Sequence, residues 1–421
     1  MKISLHKSKV SGKVSAPPSK SYTIRGLMCA ALAKGESQII NPLRSEDTEA
    51  AMNVLGGVGV SILQEKDMWR VSGGEFHEPE TDLFCGNSAA TLRFMTAICS
   101  IIPGKCRLTT GSSLAKRPVE TLIEALRKLG ADCASDGEVA PVTVNGGKLR
   151  GGLTELPGDI SSQYVSALML PAPFAEEKVS IRLTSPLESK PYVMMTLECL
   201  ERFGIKLAAS KNLDEFEIAK QAYKPARYEV EGDWSSASYF LALGALSEGV
   251  EVANLNPESR QGDRMMLNFL QRMGAMVELK QDSVIVRRSK LNAISADLSD
   301  CIDLLPTVAA LAALADGVSE FTGIERARLK ESNRVATVRN GLERMGIEVT
   351  EERDRLTITG SVPKGSAIDT GNDHRIAMAF SILGVKAGNM VINEAECVNK
   401  TYPQFWGILE NIGGKLETDG K

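Results

Sequence analysis

The chain has 421 residues, a length that predicts two or more domains. Hydrophobic residues make up 43% and charged residues 24%, so the chain can bury real cores and is not a disordered protein. The formal net charge is −4, which argues against a general binder of nucleic acid or of anionic membranes.

The chain carries no pattern typical of a membrane segment or of a metal site. No apolar run reaches the ~18 residues of a membrane span, and the first residues lack the apolar core of a secretory signal, so we expect a cytoplasmic protein. The eight cysteines form no Cys-x-x-Cys pair, and His6, His77 and His374 are scattered. We therefore expect free thiols and no metal.

One pattern recurs six times along the chain, with a period of about 70 residues. An amphipathic helix ends in Leu-x-x-x-Gly, the glycine is predicted to adopt a left-handed C-cap conformation, and a strand follows. An Ala- and Leu-rich helix, apolar nearly all round, alternates with it, so we expect this helix to be central, with sheets outside it. The six glycines are Gly59, Gly130, Gly204, Gly274, Gly346 and Gly413.

The repeat predicts the fold class. Six units are too many for one core, whereas three units per lobe give lobes of ordinary domain size. We therefore predict an α/β fold of two similar lobes with a cleft between them, and a crossover near residues 224–232. Residues that only folding requires should recur in every unit, so chemistry is expected where the repeat is broken.

The first polar motif in chain order is SKSYTIR at residues 19–25. It places Lys20, Ser21 and Arg25 in the first turns of a helix that Ser19 can cap. Two cations at the positive end of a helix dipole cost stability, so the pattern indicates an anionic ligand.

Three further motifs of the first half stand at predicted helix starts. FCGNSAATLR at 84–93 opens a helix with small residues that let backbone N–H groups approach a ligand, and AKRPV places Arg117 before Pro118. GDISSQY at 158–164 resembles a neutral phosphate cradle. Its donors are Ser161, Ser162 and Gln163.

Two serine motifs need different interpretations. GDWSSASY at 232–239 looks like a copy of GDISSQY in the other lobe, so we interpret its serines as a capping device only. SKPY, which begins at Ser189, has no such copy.

The second half carries charged motifs of both signs. Lys330 and Arg334 in KESNR share a helical face if the segment is helical, with Glu331 beside them. Asp303 lies at the start of the most apolar helix, where a carboxylate is costly unless it is paired or used. The remaining polar residues are Asp373, His374 and Arg375 in NDHRIAM and Lys400 in KTYP.

Together these motifs supply seven cations in an acidic protein, which suits a substrate with several phosphate and carboxylate groups. The carboxylates placed for proton transfer are those of Asp303 and Glu331. The cations are Lys20, Arg25, Arg117, Lys330, Arg334, Arg375 and Lys400.

The motif series resembles that of the 5-enolpyruvylshikimate-3-phosphate synthase family. In chain order it reads SKSxxxR, GNSxxT, KRPV, SSQYVSALML, SKPY, DxxP, LKESNR, DHRIAM and KTYP, from about residue 15 to residue 405. The resemblance implies two lobes, each of three βαβαββ units in an inside-out α/β barrel, with the N-terminal strand in the second-half lobe. The predicted lobes are then 19–231 and 1–18 plus 232–421.

The resemblance also implies the reaction: transfer of the enolpyruvyl group of phosphoenolpyruvate to the 5-hydroxyl of shikimate 3-phosphate by addition and elimination. It implies Asp303 as base, Glu331 as proton donor and Lys20 as a third catalytic group, without a cofactor. The residues implied for shikimate 3-phosphate are Lys20, Ser21, Arg25, Ser161, Ser162, Gln163, Ser189, Asp303 and Lys330. Those implied for phosphoenolpyruvate are Lys20, Ala89, Arg117, Gln163, Arg334, Arg375 and Lys400.

Three positions depart from the family pattern. Ala89 stands where the family commonly has glycine in a segment that glyphosate occupies, and Asn333 replaces an aspartate with little expected effect. Arg326 stands where some members use asparagine, so it receives no role. We expect a monomer with small-molecule partners and neither nucleic-acid nor membrane partners.

Two alternatives stay open at this point. The related UDP-N-acetylglucosamine enolpyruvyl transferases share the six-unit architecture, but they resemble GAKNAAL where this chain has SKSYTIR and carry a reactive cysteine where it has Ser112. A six-unit nucleic-acid clamp or passive scaffold is the other alternative, and the acidic balance and the repeat-breaking clusters oppose it.

Overall fold

A computed structural model describes residues 1–419, which fold as two compact units. The first-half unit comprises Pro18–Val230, and the second-half unit comprises Met1–Pro17 together with the chain from Glu231 onward. Each unit has its own apolar core.

The described residues form 12 α-helices of two kinds. The central helices are α1 (Lys20–Leu32), α3 (Ala89–Ile98), α5 (Ser162–Met169), α7 (Trp234–Leu246), α9 (Leu305–Ala312) and α11 (His374–Ala387). The outer helices are α2 (Glu46–Gly57), α4 (Glu120–Lys128), α6 (Lys190–Arg202), α8 (Met266–Arg272), α10 (Arg334–Arg344) and α12 (Phe405–Asn411). Short 3-10 helices occupy Cys99–Ile101, Ala172–Phe174, Gly262–Met265, Ile302–Leu304, Glu325–Leu329 and Ala395–Lys400.

The described residues also form 24 strands. Those up to Val230 are β1 (Lys2–His6), β2 (Ser11–Ser15), β3 (Gly35–Ile40), β4 (Ser61–Gln64), β5 (Met68–Gly73), β6 (Leu83–Phe84), β7 (Gly104–Thr109), β8 (Asp132–Asp136), β9 (Val139–Gly146), β10 (Gly152–Leu156), β11 (Val179–Leu183), β12 (Ala208–Ala209), β13 (Glu215–Ile218) and β14 (Arg227–Glu229). The others are β15 (Gly249–Ala253), β16 (Met276–Leu279), β17 (Ser283–Arg287), β18 (Ser295–Asp297), β19 (Val318–Thr322), β20 (Glu348–Glu351), β21 (Arg355–Thr359), β22 (Ala367–Ile368), β23 (Met390–Asn393) and β24 (Lys415–Asp419).

The strands form six four-stranded sheets that share one pairing pattern, with one parallel pair followed by two antiparallel pairs. This identity of pattern confirms the repeat. The sheet orders are β14-β3-β5-β4, β6-β7-β9-β8 and β10-β11-β13-β12 in the first-half unit, and β2-β15-β17-β16, β18-β19-β21-β20 and β22-β23-β1-β24 in the second-half unit.

Chain segments distant in sequence complete two sheets of the second-half unit. β1 pairs antiparallel with β23 and β24, and β2 pairs parallel with β15. In the first-half unit, β14 returns from the end of the unit to pair parallel with β3. The two N-terminal strands therefore belong to the same unit as the C-terminal half.

The central helices are buried because apolar residues surround them on all sides, as in α7, where all thirteen residues are buried. The outer helices keep one polar face, as in α4. Each of the six repeat glycines has a positive φ, from 81° at Gly204 and Gly346 to 103° at Gly59, so the predicted helix ends are confirmed.

Candidate active site

The N-terminal ends of α7, α9 and α11 meet at a cluster of charged side chains in the second-half unit. Arg375, near the start of α11, donates to the Ser235 hydroxyl at the start of α7 and, from Nη2, to Asp303 Oδ2 at 3.2 Å. The side chain that caps α7 is Asp233, whose Oδ1 accepts from the Ser236 amide. The interpretation of the serines at 232–239 as caps only is therefore wrong, because Ser235 takes part in the cluster.

Arg334 is the centre of this cluster. Its side chain is 1% exposed, and it donates to Asp373 Oδ2 at 2.8 Å, to Asp303 Oδ1 at 2.6 Å and to Glu331. Burial lowers the pKa of Arg334, but the three carboxylates outweigh it and hold the pKa above its usual range. Arg334 thus stays charged.

Asp303 lies just before α9 and is paired. Besides Arg334 and Arg375, it has Lys330 Nζ at 3.4 Å from Oδ1. Burial is the largest influence and raises the pKa of Asp303, but the three cations together hold it well below its ordinary value. The cost of burying this carboxylate is therefore offset, and it is ionised at neutral pH.

Lys330 and Glu331 lie between a 3-10 helix, Glu325–Leu329, and the start of α10 at Arg334. The segment is therefore not one continuous helix, and the condition under which Lys330 and Arg334 would share a helical face is not met. Burial lowers the pKa of Lys330 to about 8, with Asp303 opposing the shift. Glu331 also contacts Lys400, with 3.3 Å between Oε1 and Nζ.

Asp263 also belongs to this cluster, although no sequence motif indicates it. It lies in the 3-10 helix Gly262–Met265 and is 4% exposed. Burial raises the pKa of Asp263 to about 7, Arg375 opposes the shift and Asp303 adds to it. Asp263 is thus a carboxyl group that titrates near neutral pH next to Arg375.

The charges of the cluster do not balance. Four cations face three carboxylates, so the net charge is 4 − 3 = +1 when Asp263 is protonated. The cations are Lys330, Arg334, Arg375 and Lys400, and the carboxylates are Asp303, Glu331 and Asp373.

A second cluster lies at the N-terminal ends of α1, α3 and α5 in the first-half unit. Lys20, the first residue of α1, forms an ion pair of 2.9 Å with Asp47 in the first turn of α2. Asp47 is only 5% exposed, so the ion pair fixes the position of the lysine ammonium. Ser21 follows Lys20 and is partly exposed.

Arg25 lies one turn further along α1 and is buried. Its Nε donates to Thr196 Oγ1 at 2.8 Å and its Nη2 to the Tyr192 carbonyl at 3.1 Å. The guanidinium carbon lies 5.3 Å from the ring centroid of Phe94 and 5.9 Å from that of Tyr192. Burial lowers the pKa of Arg25, and these contacts hold the side chain rigidly.

Arg93 joins this cluster from the middle of α3, although no sequence motif assigns it a role. Its Nη1 donates to Gln163 Oε1 at 2.7 Å and to Ser161 Oγ at 3.3 Å, and its guanidinium lies over the Tyr164 ring at 5.0 Å. Ser161 is the N-cap of α5 and accepts from the Gln163 amide. Arg93 therefore orients Ser161 and Gln163, two of the three polar residues of the predicted phosphate cradle.

Of the other predicted residues of the first half, Ala89, Ser162 and Ser189 stand at helix starts, and Arg117 lies in the loop before α4. Ala89 is the first residue of α3 and Ser162 the first of α5. Ser189 precedes α6 with a left-handed φ of 53°, a strained conformation for serine. Arg117 is 8% exposed, and its backbone amide donates to the Leu114 carbonyl at 3.0 Å.

Two of the departures from the family pattern have a structural account. Asn333 is the N-cap of α10, and its Oδ1 accepts from the Ala336 amide at 3.2 Å. An asparagine caps a helix about as well as an aspartate. Arg326 Nη2 donates to the Ser299 carbonyl at 2.9 Å.

Each cluster combines helix N-termini with cations, an arrangement that stabilises phosphate and carboxylate groups. In the second-half cluster, three carboxylates also lie beside the cations, and carboxyl groups can transfer protons. Residues 1–419 contain no group of three or more His, Cys, Asp or Glu side chains arranged to hold a metal ion. No helix in that range is both long enough and apolar enough to cross a membrane.

Comparison with known proteins decides the family. The model of the EPSP synthase family (3-phosphoshikimate 1-carboxyvinyltransferase) matches residues 5–409. The chain belongs to the EPSP synthase family. It is 51% identical to a 3-phosphoshikimate 1-carboxyvinyltransferase of Dehalococcoides mccartyi over 100% of both chains. It is 41% identical to one of Methanocaldococcus jannaschii over 97% of both.

Solved structures agree with this family assignment. An EPSP synthase from Acinetobacter baumannii is 27% identical and superposes with a TM-score of 0.83 over 99% of both chains. The enolpyruvyl transferase NikO from Streptomyces tendae, at 17% identity and a TM-score of 0.78 over 99% of this chain and 98% of that one, shares the fold. The expected α/β fold of the enolpyruvyl transferases is thus confirmed.

Proposed function

We propose that this chain transfers the enolpyruvyl group of phosphoenolpyruvate to the 5-hydroxyl of shikimate 3-phosphate and releases phosphate. The observation that carries the proposal is the cluster around Arg334, because it holds ionised carboxylates against a surplus of cations in a chain matched to the family over residues 5–409. The names of the most similar relatives support the same activity. The reaction needs no cofactor.

The proposed binding roles of both substrates draw on both clusters. The hydroxyl and amide donors near Arg93 suit a phosphate monoester, and the buried guanidinium groups suit a carboxylate and a second phosphate. The residues proposed for shikimate 3-phosphate are Lys20, Ser21, Arg25, Ser161, Ser162, Gln163, Ser189, Asp303 and Lys330. Those proposed for phosphoenolpyruvate are Lys20, Ala89, Arg117, Gln163, Arg334, Arg375 and Lys400.

In the addition step, the 5-oxygen forms a bond to C2 of phosphoenolpyruvate while its proton passes to Asp303. The methylene carbon takes a proton from Glu331 and becomes a methyl group; Glu331, a carboxylate paired with Arg334 and Lys400 in the free protein, must first take up that proton from solvent. In the elimination step, the methyl group returns a proton to Glu331, the bond between C2 and the phosphate oxygen breaks, and the departing phosphate takes the proton held by Asp303. Phosphate leaves, and the double bond is restored in the product.

The free protein holds Asp303 in a form too weakly basic for this role. Three cations lower its pKa, and all three, Lys330, Arg334 and Arg375, are also proposed to bind substrate anions. An anion that attracts these cations weakens their hold on Asp303 and raises its basicity. Substrate binding would therefore activate the base at the moment it is needed.

The same cations stabilise the charge that develops during the addition. Lys400 and Arg334 both contact Glu331, which keeps the proposed proton donor beside the proposed phosphoenolpyruvate site. General acid–base catalysis contributes about 10²–10⁴-fold to a rate. Preorganised cations add a comparable or larger factor because they need no rearrangement during the reaction.

The test is phosphate release from phosphoenolpyruvate with two acceptors, shikimate 3-phosphate and UDP-N-acetylglucosamine. We expect release only with shikimate 3-phosphate. Release only with the nucleotide sugar would replace the proposal with the sister activity. The exposed Asp282, changed to asparagine, is a matched control for substitutions of the buried carboxylates.

We also propose that the protein works in the cytoplasm as a monomer. Support comes from the absence of a membrane-crossing helix in residues 1–419 and from the expectation that its partners are small molecules. Light scattering after gel filtration should give the 45.3 kDa mass of one chain. A mass near twice that value would contradict the monomer.

A further inference from the structure

A cavity of about 630 Å³ lies at the C-terminal ends of the central helices of the second-half unit. Leu246 ends α7, Leu314 follows the end of α9 and Ala387 ends α11, and all three line the cavity. Small-molecule sites occupy about 300–1,000 Å³, so its size suits a small ligand. The residues proposed for catalysis lie at the opposite ends of these helices.

The walls of the cavity are largely apolar. Leu243, Leu246, Ile382 and Val385 contribute buried aliphatic side chains from α7 and α11. On the loop after β21, Val362 lines the same cavity with 85% of its surface exposed. An apolar body bound here would remove its own surface and that of Val362 from water, which is favourable.

The rim of the cavity carries unbalanced positive charge. Its four cations are Lys7, Lys9, Arg288 and Lys386, and its one carboxylate, Glu248, pairs with Lys9 at 2.7 Å. Within residues 1–419, no carboxylate forms an ion pair with Lys7, Arg288 or Lys386. Burial and the charges of Arg288 and Lys7 lower the pKa of Lys386, so these cations are close enough to repel one another.

Helix ends account for only part of this charge. Each helix C-terminus carries about −0.5 elementary charge, and Lys386 Nζ donates to the Leu246 carbonyl at the end of α7 at 2.8 Å. Four cations against one carboxylate leave 4 − 1 = +3, and three helix ends offset about 1.5 of it. A surplus of about +1.5 therefore remains around an apolar cavity.

We propose that this cavity is a second ligand site, which binds a small organic anion with an apolar body, such as an aryl or branched alkyl carboxylate. The carboxylate would contact Arg288, Lys7 and Lys386, and the body would lie on the aliphatic walls. The site is separate from the proposed active site, and its occupation does not depend on the proposed reaction.

The test is calorimetry of the full chain with two probes of the same shape, 4-phenylbutanoate and the neutral 4-phenylbutanamide. We expect the carboxylate to bind at least about tenfold more tightly than the amide, because a charge-assisted contact is lost in the amide. Arg288→Gln should weaken the carboxylate about tenfold and leave the amide unchanged. Arg288 is exposed, so the variant should fold.

Lys13→Gln is the matched control, since Lys13 is an exposed lysine of the same unit that pairs with Glu251 away from the cavity. It should bind both probes as the unchanged protein does. Equal affinity for the two probes, or no binding at concentrations on the order of 10 mM, overturns the proposal. So does displacement of the carboxylate by shikimate 3-phosphate with no effect of Arg288→Gln, because the probe would then occupy the proposed active site.

Discussion

The charged groups around Arg334 depend on one another for their protonation states, so a single substitution changes more than one contact. Removing the Asp303 carboxylate leaves Arg334, Arg375 and Lys330 without one of their counter-charges. Breaking a buried ion pair in this way costs about 3–5 kcal/mol. In the variant Asp303→Ala, a fall in activity could therefore come from lower stability as well as from the missing base.

Asp303→Asn keeps the side-chain shape and one acceptor oxygen, so it is the better probe of the proposed base. We expect turnover to fall by about 10²-fold or more. Thermal unfolding of the same preparation gives the stability of the variant, and Asp282→Asn serves as control. Turnover within about threefold of the unchanged protein would remove Asp303 from the role of base.

The raised pKa of Asp263 predicts that the stability of the protein depends on pH. Its pKa in the folded protein is about 7, above the ordinary 3.8, so the stability that its proton contributes is present below pH ~4 and is lost as pH rises through 7. Asp263→Asn cannot ionise and should be more stable than the unchanged protein at pH 8, by at most about 4 kcal/mol. The difference should shrink at pH 5. Denaturant unfolding at both values measures it, and a pH-independent difference would contradict the raised pKa.

The methyl group of Ala89 predicts weak inhibition of this protein by glyphosate. It is the first residue of α3 and is 8% exposed, at a position proposed to contact phosphoenolpyruvate. Glyphosate is longer than phosphoenolpyruvate, so the extra methyl group should crowd the inhibitor more than the substrate. Overpacking costs about 1–3 kcal/mol, which corresponds to roughly ten- to hundredfold in affinity.

Inhibition assays on the unchanged protein and on Ala89→Gly test this prediction. We expect poor inhibition of the unchanged protein and strong inhibition of the glycine variant. Equally strong inhibition of both would show that the methyl group does not reach the inhibitor.

At the scale of elements, the repeat glycines are the clearest case of sequence predicting structure. Leu-x-x-x-Gly predicts a helix end with a left-handed glycine, and all six glycines have positive φ. Such local rules work because the backbone conformation depends on the residue itself. They also predict the apolar central helices, whose composition leaves no polar face.

The contacts that the motifs do not reveal are those between distant segments. Arg93 lies inside α3 and Asp263 inside a 3-10 helix, where a charged residue usually faces solvent. Only the folded chain brings Arg93 to Gln163 and Asp263 to Arg375. The capping role assigned to Ser235 failed for the same reason, because its partner Arg375 lies 140 residues away. Sequence spacing carries no information about such pairs.

Gly346 lies at a helix end and Gly407 inside a helix, and we expect their replacement by alanine to change the stability in opposite directions. Gly346 has a φ of 81° and open space where a Cβ would lie, so Gly346→Ala should destabilise by about 1–2 kcal/mol through backbone strain alone. Gly407, inside α12, also has open space and lacks a positive φ. Gly407→Ala should stabilise by about 1 kcal/mol. Denaturant unfolding of both variants checks the signs, and destabilisation by both would mean that packing rather than φ decides.

At the scale of the whole molecule, an acidic chain gathers positive charge where its central helices begin. The net charge of the chain is −4, yet the cluster around Arg334 has a net charge of +1 when Asp263 is protonated. A surplus of this kind attracts multiply charged anions and leaves the remaining surface acidic. The composition alone could not show this, because it averages over the positive cluster and the remaining acidic surface.

The central claim is that the protein breaks the carbon–oxygen bond of phosphoenolpyruvate, as enolpyruvyl transfer requires, rather than the phosphorus–oxygen bond, as phosphoryl transfer requires. Phosphoenolpyruvate labelled with ¹⁸O at the bridging oxygen distinguishes the two. The protein is incubated with this substrate and shikimate 3-phosphate, and the released phosphate is observed by ³¹P nuclear magnetic resonance. The account predicts that the label leaves with the phosphate; unlabelled phosphate, or label retained in pyruvate, would contradict it.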